Sequence, residues 1–71
     1  RMDERLSNRL RELRAEHDLT QAGLAERVGV SRKTINTIEN GIFVPSTLLA
    51  LKLAKAFECP VEAIFTLHDD C

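Results

Sequence analysis

Only two cysteines, Cys59 and Cys71, occur among 71 residues, too few for the disulfide framework that staples small secreted domains. No apolar run approaches the length of a membrane span. No hydrophobic signal segment precedes the polar start of the chain, so a reducing cytoplasm is the expected compartment and no membrane association is expected. Net charge is also scarce: ten Lys and Arg oppose eleven Asp and Glu for a formal −1, so the chain-wide basic signature of many nucleic-acid binders is absent. Phosphate-binding glycine loops, nucleophile elbows and paired-carboxylate motifs are missing, which argues against an enzyme. His68, Asp69, Asp70 and Cys71 are metal-ligand types, but they are consecutive and lack the spaced pairs of a structural zinc site. Neither a metal nor a cofactor is expected. There is no internal repeat, low-complexity tract or linker, so the expectation is one domain over residues 1–71.

What is present is the composition of a globular protein, 44% hydrophobic and 30% charged. A domain this short buries only about 60% of its unfolded surface, so its stability leans on a partner chain and an oligomer is expected. Charge is unevenly spread. Residues 21–41 hold three bases (Arg27, Arg32, Lys33) against two acids and form the only third of the chain with a positive balance.

The two prolines and three glycines fall where helices would stop or turn, and the chain reads as consecutive short helices. Leu6, Leu10 and Leu13 recur at spacings of four and three residues that line one helix face, predicting a first helix from about residue 3 or 7 to residue 17. Thr20 is a good N-cap for a second helix over residues 21–28, which Gly29 ends; Gly23 is a weak point inside it. Ser31 caps a third helix in which Ile35 and Ile38 share a face and which ends at Asn40 and Gly41. Residues 42–44 are an apolar connection closed by Pro45. Ser46 then caps a fourth helix through Phe57, with Ala50, Leu51, Ala54 and Phe57 as its inner stripe. Pro60 opens a short fifth helix containing Val61, Ile64 and Phe65, and residues 66–71 read as a frayed polar tail. His17 suits the C-terminal dipole of the first helix, and Cys59 reads as a small buried hydrophobe. No strand pattern is evident, so the predicted fold is all-α.

The informative unit is residues 21–40, QAGLAERVGVSRKTINTIEN. Ala25 sits where two crossing helices approach, Gly29 in the tight turn, and Leu24, Val28, Val30, Ile35 and Ile38 close the core between them. This segment resembles the Cro/C1-type helix-turn-helix family of phage and bacterial repressors. The resemblance extends through the preceding LRELRAEHDLTQ and the following ENGIFVPS and LALKLAKAF, covering roughly residues 7–65. It implies a compact five-helix bundle of the lambda-repressor-like type, with double-stranded DNA as partner.

Carried over by position, the resemblance places the third helix in the major groove with Arg32, Lys33 and Asn36 as base readers. Arg and Lys donate to guanine O6 and N7, and Asn pairs with adenine N6 and N7. Ser31, Thr34 and Thr37 stand at the margins. Gln21 and Asn40 are implied to contact phosphates, which sets register rather than sequence. The resemblance also pairs Arg14 with Glu39 across the first and third helices. The chain departs from the family pattern at Gly23, where a capping Glu is common, at Glu58, where a helix-ending Gly is common, and at residues 42–44, which replace a more polar loop. Leu48 takes a usually polar position. Together with Leu49, Ile64, Phe65 and Leu67 it suggests a self-association surface in the C-terminal half. The expected function is therefore a sequence-specific regulator, a repressor binding an inverted-repeat operator as a homodimer. The alternative is an antitoxin-like or adaptor protein whose main partner is another protein.

Overall fold

The computed structural model describes residues 3–70. The chain runs β1 (Asp3–Asn8), α1 (Leu10–Glu16), α2 (Gln21–Val28), α3 (Arg32–Glu39), α4 (Thr47–Phe57), α5 (Val61–Ile64) and β2 (Phe65–Asp70). Local chemistry fixes the helix starts. Thr20, Ser31 and Ser46 each accept the backbone N–H of the third residue of the helix that follows, from Gly23, Thr34 and Leu49 at 2.9, 3.2 and 3.1 Å. Gly29 ends α2 in the left-handed region at φ 77°, where a Cβ is unfavourable. Glu58 ends α4 with φ 55°, so a position that favours glycine is occupied by a strained L side chain.

The expected all-α architecture is corrected by β1 and β2, which pair antiparallel with Leu6 opposite Leu67 and Asn8 opposite Phe65. Phe65 and Leu67 alternate with Thr66 and His68, the two-residue period that sends alternate side chains to one face. The pairing is continued by the Arg9 N–H, which donates to the Ile64 carbonyl at 2.9 Å. Leu6 therefore belongs to a strand and the first helix begins only at Leu10. Residues 66–70, expected to fray, are strand; Cys71 lies outside the described residues. Ser7 and His68 side chains meet at 2.7 Å across the ribbon.

The core gathers Leu10 and Leu13 of α1, Leu24, Ala25 and Val28 of α2, Ile35 and Ile38 of α3, Leu49, Leu53, Ala54 and Phe57 of α4, and Ile64 of α5. On α4 the inner stripe is displaced from the expected one: Leu51 is exposed and Ala50 half-buried, while Leu49 and Leu53 are buried. Leu49, Leu53 and Phe57 are spaced by four, so they follow the buried face while Leu51 points away. Truncating a buried leucine of this kind costs about 2–5 kcal/mol. Cys59 is half-buried and packs against this core, and His17 lays its ring against Phe57 with centroids 5.2 Å apart. Among the described residues no helix is long and apolar enough to cross a membrane.

Candidate nucleic-acid interface

The corner between α2 and α3 is made by a single short turn. Gly29 and Val30 both donate to the Ala25 carbonyl, at 2.9 and 3.0 Å, which closes α2 and redirects the chain into the Ser31 cap. Ile35 and Ile38 then anchor α3 from below. That phase leaves Arg32 and Lys33 exposed on the first turn, with Asn36 and Thr37 half-buried one turn further on. Ser31 spends one lone pair on the cap and shares its hydroxyl with Thr34 at 3.0 Å.

The polar side chains are not equally free. Asn40 Nδ2 donates to Asn36 Oδ1 at 3.1 Å. The two amides form a pair on the outer face, and Asn36 keeps its own Nδ2 donors and the second lone pair of its oxygen. Thr37 Oγ1 donates to the Thr34 carbonyl at 2.9 Å. Gln21 Nε2 donates to Glu39 Oε1 at 3.0 Å, which uses one of its two amide hydrogens inside the protein.

Glu39 is the electrostatic centre beneath this surface. Arg14 Nε and Nη2 donate to its two carboxylate oxygens at 2.5 and 3.2 Å, and Arg14 Nη1 also donates to the Leu19 carbonyl at 3.1 Å. The Glu39 side chain is 1% exposed and that of Arg14 16%, so this is a forked, largely desolvated pair. Burial by itself favours the neutral acid. The hydrogen bonds from Arg14 and Gln21, with the charges of Arg14 and Arg11, outweigh it and hold the Glu39 carboxyl below the usual carboxylate range.

Three contacts in this region escaped the sequence reading. Arg11 stands 3.7 Å from Glu39 while remaining exposed. Asn8 Nδ2 donates to the Ile38 carbonyl at 2.8 Å, while its Oδ1 accepts the Leu10 N–H at 3.2 Å. One side chain thus satisfies the end of α3 and the start of α1. Gln21 joins α2 to the pair. Asn8 falls inside the predicted first helix and Gln21 is given only a phosphate role, so no local signal points to the contacts either makes with α3.

The expected self-association residues are divided by the structure. Leu49 and Ile64 are core residues and unavailable to a partner, Phe65 is half-buried, and Leu48 and Leu67 are each 65% exposed. Leu48 lies beside the α2–α3 turn with Val30 and Lys52. A separate apolar depression is lined by Leu6, Val44, Pro45, Ala50, Leu51 and Phe65.

A family model described as Helix-turn-helix matches residues 10–64. The chain is 46% identical over 65 residues to the uncharacterised HTH-type transcriptional regulator YgzD of Bacillus subtilis, covering 92% of this chain and 98% of that one. It is 49% identical over 65 residues, with the same coverage of 92% and 98%, to an uncharacterised HTH-type transcriptional regulator of Methanocaldococcus jannaschii. The crystal structure of the restriction-modification controller protein C.AhdI from Aeromonas hydrophila matches with a TM-score of 0.71 at 35% identity, over 76% of this chain and 82% of that one. With the capped α2–α3 corner and its buried ion pair, these matches identify the chain as a member of the Cro/C1-type helix-turn-helix family of DNA-binding transcriptional regulators, a family of regulators rather than of enzymes.

Proposed function

We propose that this protein is a sequence-specific repressor that binds an inverted-repeat operator as a homodimer in the cytoplasm and acts by occluding the DNA it covers. One observation carries the reading: α3 is held by Ile35 and Ile38 in the core while Arg32, Lys33 and Asn36 stand on its outer side. Arg32 and Asn36 address base edges, and Lys33 reaches either a guanine or a phosphate. Asn40 supports Asn36, and Ser31, Thr34 and Thr37 border the surface. With one Gln21 amide hydrogen on Glu39, the phosphate contact assigned to α2 is made by the other amide hydrogen of Gln21 together with the N-terminal backbone N–H groups.

A single nearly neutral copy offers few contacts, and two copies double the footprint. The surface best suited to join them is the depression around Leu6, Val44, Leu51 and Phe65, extended by Leu67 opposite Leu6 on the ribbon. The test combines light scattering at micromolar concentration with a footprint on selected duplex DNA. A dimer protecting two half-sites centred about 34–36 Å apart supports the reading. A strict monomer, free and on DNA, overturns the homodimer, and stable capture of a different protein on this surface with no DNA binding favours the antitoxin-like alternative.

A further inference from the structure

From residue 9 onward the bases of the chain fall into three groups. Arg9, Arg11 and Arg14 face acids of the same chain, Glu12 and Glu16 or Glu39. Arg32 and Lys33 stand on the outer side of α3. The remaining three, Arg27, Lys52 and Lys55, are all exposed and all line one groove between the C-terminal end of α2 and α4. One acid, Glu26, shares the groove, so its balance is positive. Arg27 and Lys55 stand in the last turns of their helices, where a cation is favourable. That accounts for neither Lys52 in mid-helix nor the leucine that precedes it on the same face. Leu48, Lys52 and Lys55 follow at spacings of four and three, which makes them a single stripe on α4. Leu48 is 65% exposed and stands with Val30 at the end of the groove beside the α2–α3 turn. Val28, Gly29 and Lys52 line both ends, so the surface is continuous.

We propose that this groove docks an acidic segment of a second protein, with an apolar side chain seated on Leu48 and Val30 and carboxylates against Lys52, Lys55 and Arg27. Charge complementarity selects an anionic occupant. The exposed leucine selects a polypeptide over a nucleic-acid backbone, whose phosphates give an apolar side chain no counterpart. From Leu48 to Lys55 the stripe runs about 10 Å along the α4 axis, a span that about three extended residues cover. None of Arg32, Lys33 and Asn36 lines the groove, and it shares no residue with the depression around Leu51. The segment therefore occupies a surface separate from those proposed for DNA and for a second copy, and the inference does not depend on α3 reading bases.

The experiment uses the full chain and a short fluorescein-labelled peptide of Asp, Glu and Ser with one central leucine, followed by fluorescence anisotropy at physiological salt, where distant charges are screened. The wild type is expected to bind it, and Lys52→Gln combined with Lys55→Gln to weaken binding about tenfold, the effect of losing two exposed ion pairs. Leu48→Ser, and separately a serine in place of the peptide's leucine, should each weaken binding about fivefold through lost apolar burial. Both changes together should cost little more than either alone, because they remove one contact. Thermal melts check that the variants are folded. Absence of peptide binding by the wild type overturns the proposal, as does an affinity indifferent to Leu48→Ser, which would mean attraction by charge alone. If the lysine variant loses affinity for duplex DNA, the groove is a phosphate site; if it loses dimer mass in light scattering, a second copy fills it. Either result also overturns the proposal.

Discussion

Glu39 is one carboxylate on which three helices converge, since Arg14 of α1 and Gln21 of α2 both donate to it from across the corner that positions α3. Removing Arg14 leaves that carboxylate buried with only Gln21 and the solvent-exposed Arg11 beside it. Breaking such a pair from one side costs about 3–5 kcal/mol, against at most about 1 for an exposed pair. Arg14→Ala should therefore lower the melting temperature far more than Arg11→Ala, whose side chain is exposed; equal melts would show the pair to be unimportant. The same carboxylate sets an acid dependence. Its ionisation is favoured in the folded state, so its stabilising contribution is full above the unfolded value of about 4.3 and is lost as pH falls through the lower folded value. Melts of the wild type between neutral pH and about pH 3 should show this loss, and Arg14→Ala should show a smaller one. An undiminished loss in the variant would assign the acid dependence to other groups.

The elements differ in how openly the chain announces them. The bounds of α2 and the start of α3 are readable because Thr20, Gly29 and Ser31 are local signals, each acting within a few residues of itself. The ribbon is not, because Leu6 also fits the periodicity of Leu10 and Leu13, and the partner that decides otherwise, Leu67, lies at the far end of the chain. For α4 the two candidate stripes through Leu49 and Leu51 are both apolar, and only packing against the other helices selects the first. At the site, the positions of Arg32, Lys33 and Asn36 follow from helix phase, whereas the double use of Gln21 and Asn8 depends on contacts between elements. Gly23 is a further case. A Cβ there would stand 3.2 Å from Thr20 Oγ1, so the helix-weakening glycine leaves room for the cap. The end of α4 yields its own prediction. Glu58 is exposed and left-handed, so Glu58→Gly should stabilise by about 1 kcal/mol, as relief of Cβ crowding outweighs the backbone entropy added to the unfolded chain. A lowered midpoint in a denaturant titration would contradict that assignment of strain.

For the whole molecule, the ribbon brings Leu6 and Phe65 from opposite ends of the chain to the side of α4 that displays Leu51. Leu51→Lys should weaken the dimer in light scattering and leave the monomer folded, because Leu51 contributes little to the core. An unchanged mass would move the interface elsewhere. DNA binding by such a dimer should weaken with salt, each neutralised phosphate adding about one unit to the slope of log affinity against log salt. That term is shared by all sequences and says nothing about reading. The central claim is that α3 reads bases, and it is tested most directly by selecting sites from random duplex DNA with the wild type, Arg32→Ala and Asn36→Ala. The account predicts that each variant loses discrimination at its own base pairs, by about 1–3 kcal/mol, while the rest of the preferred site is kept. Identical selected sites for all three proteins would contradict it.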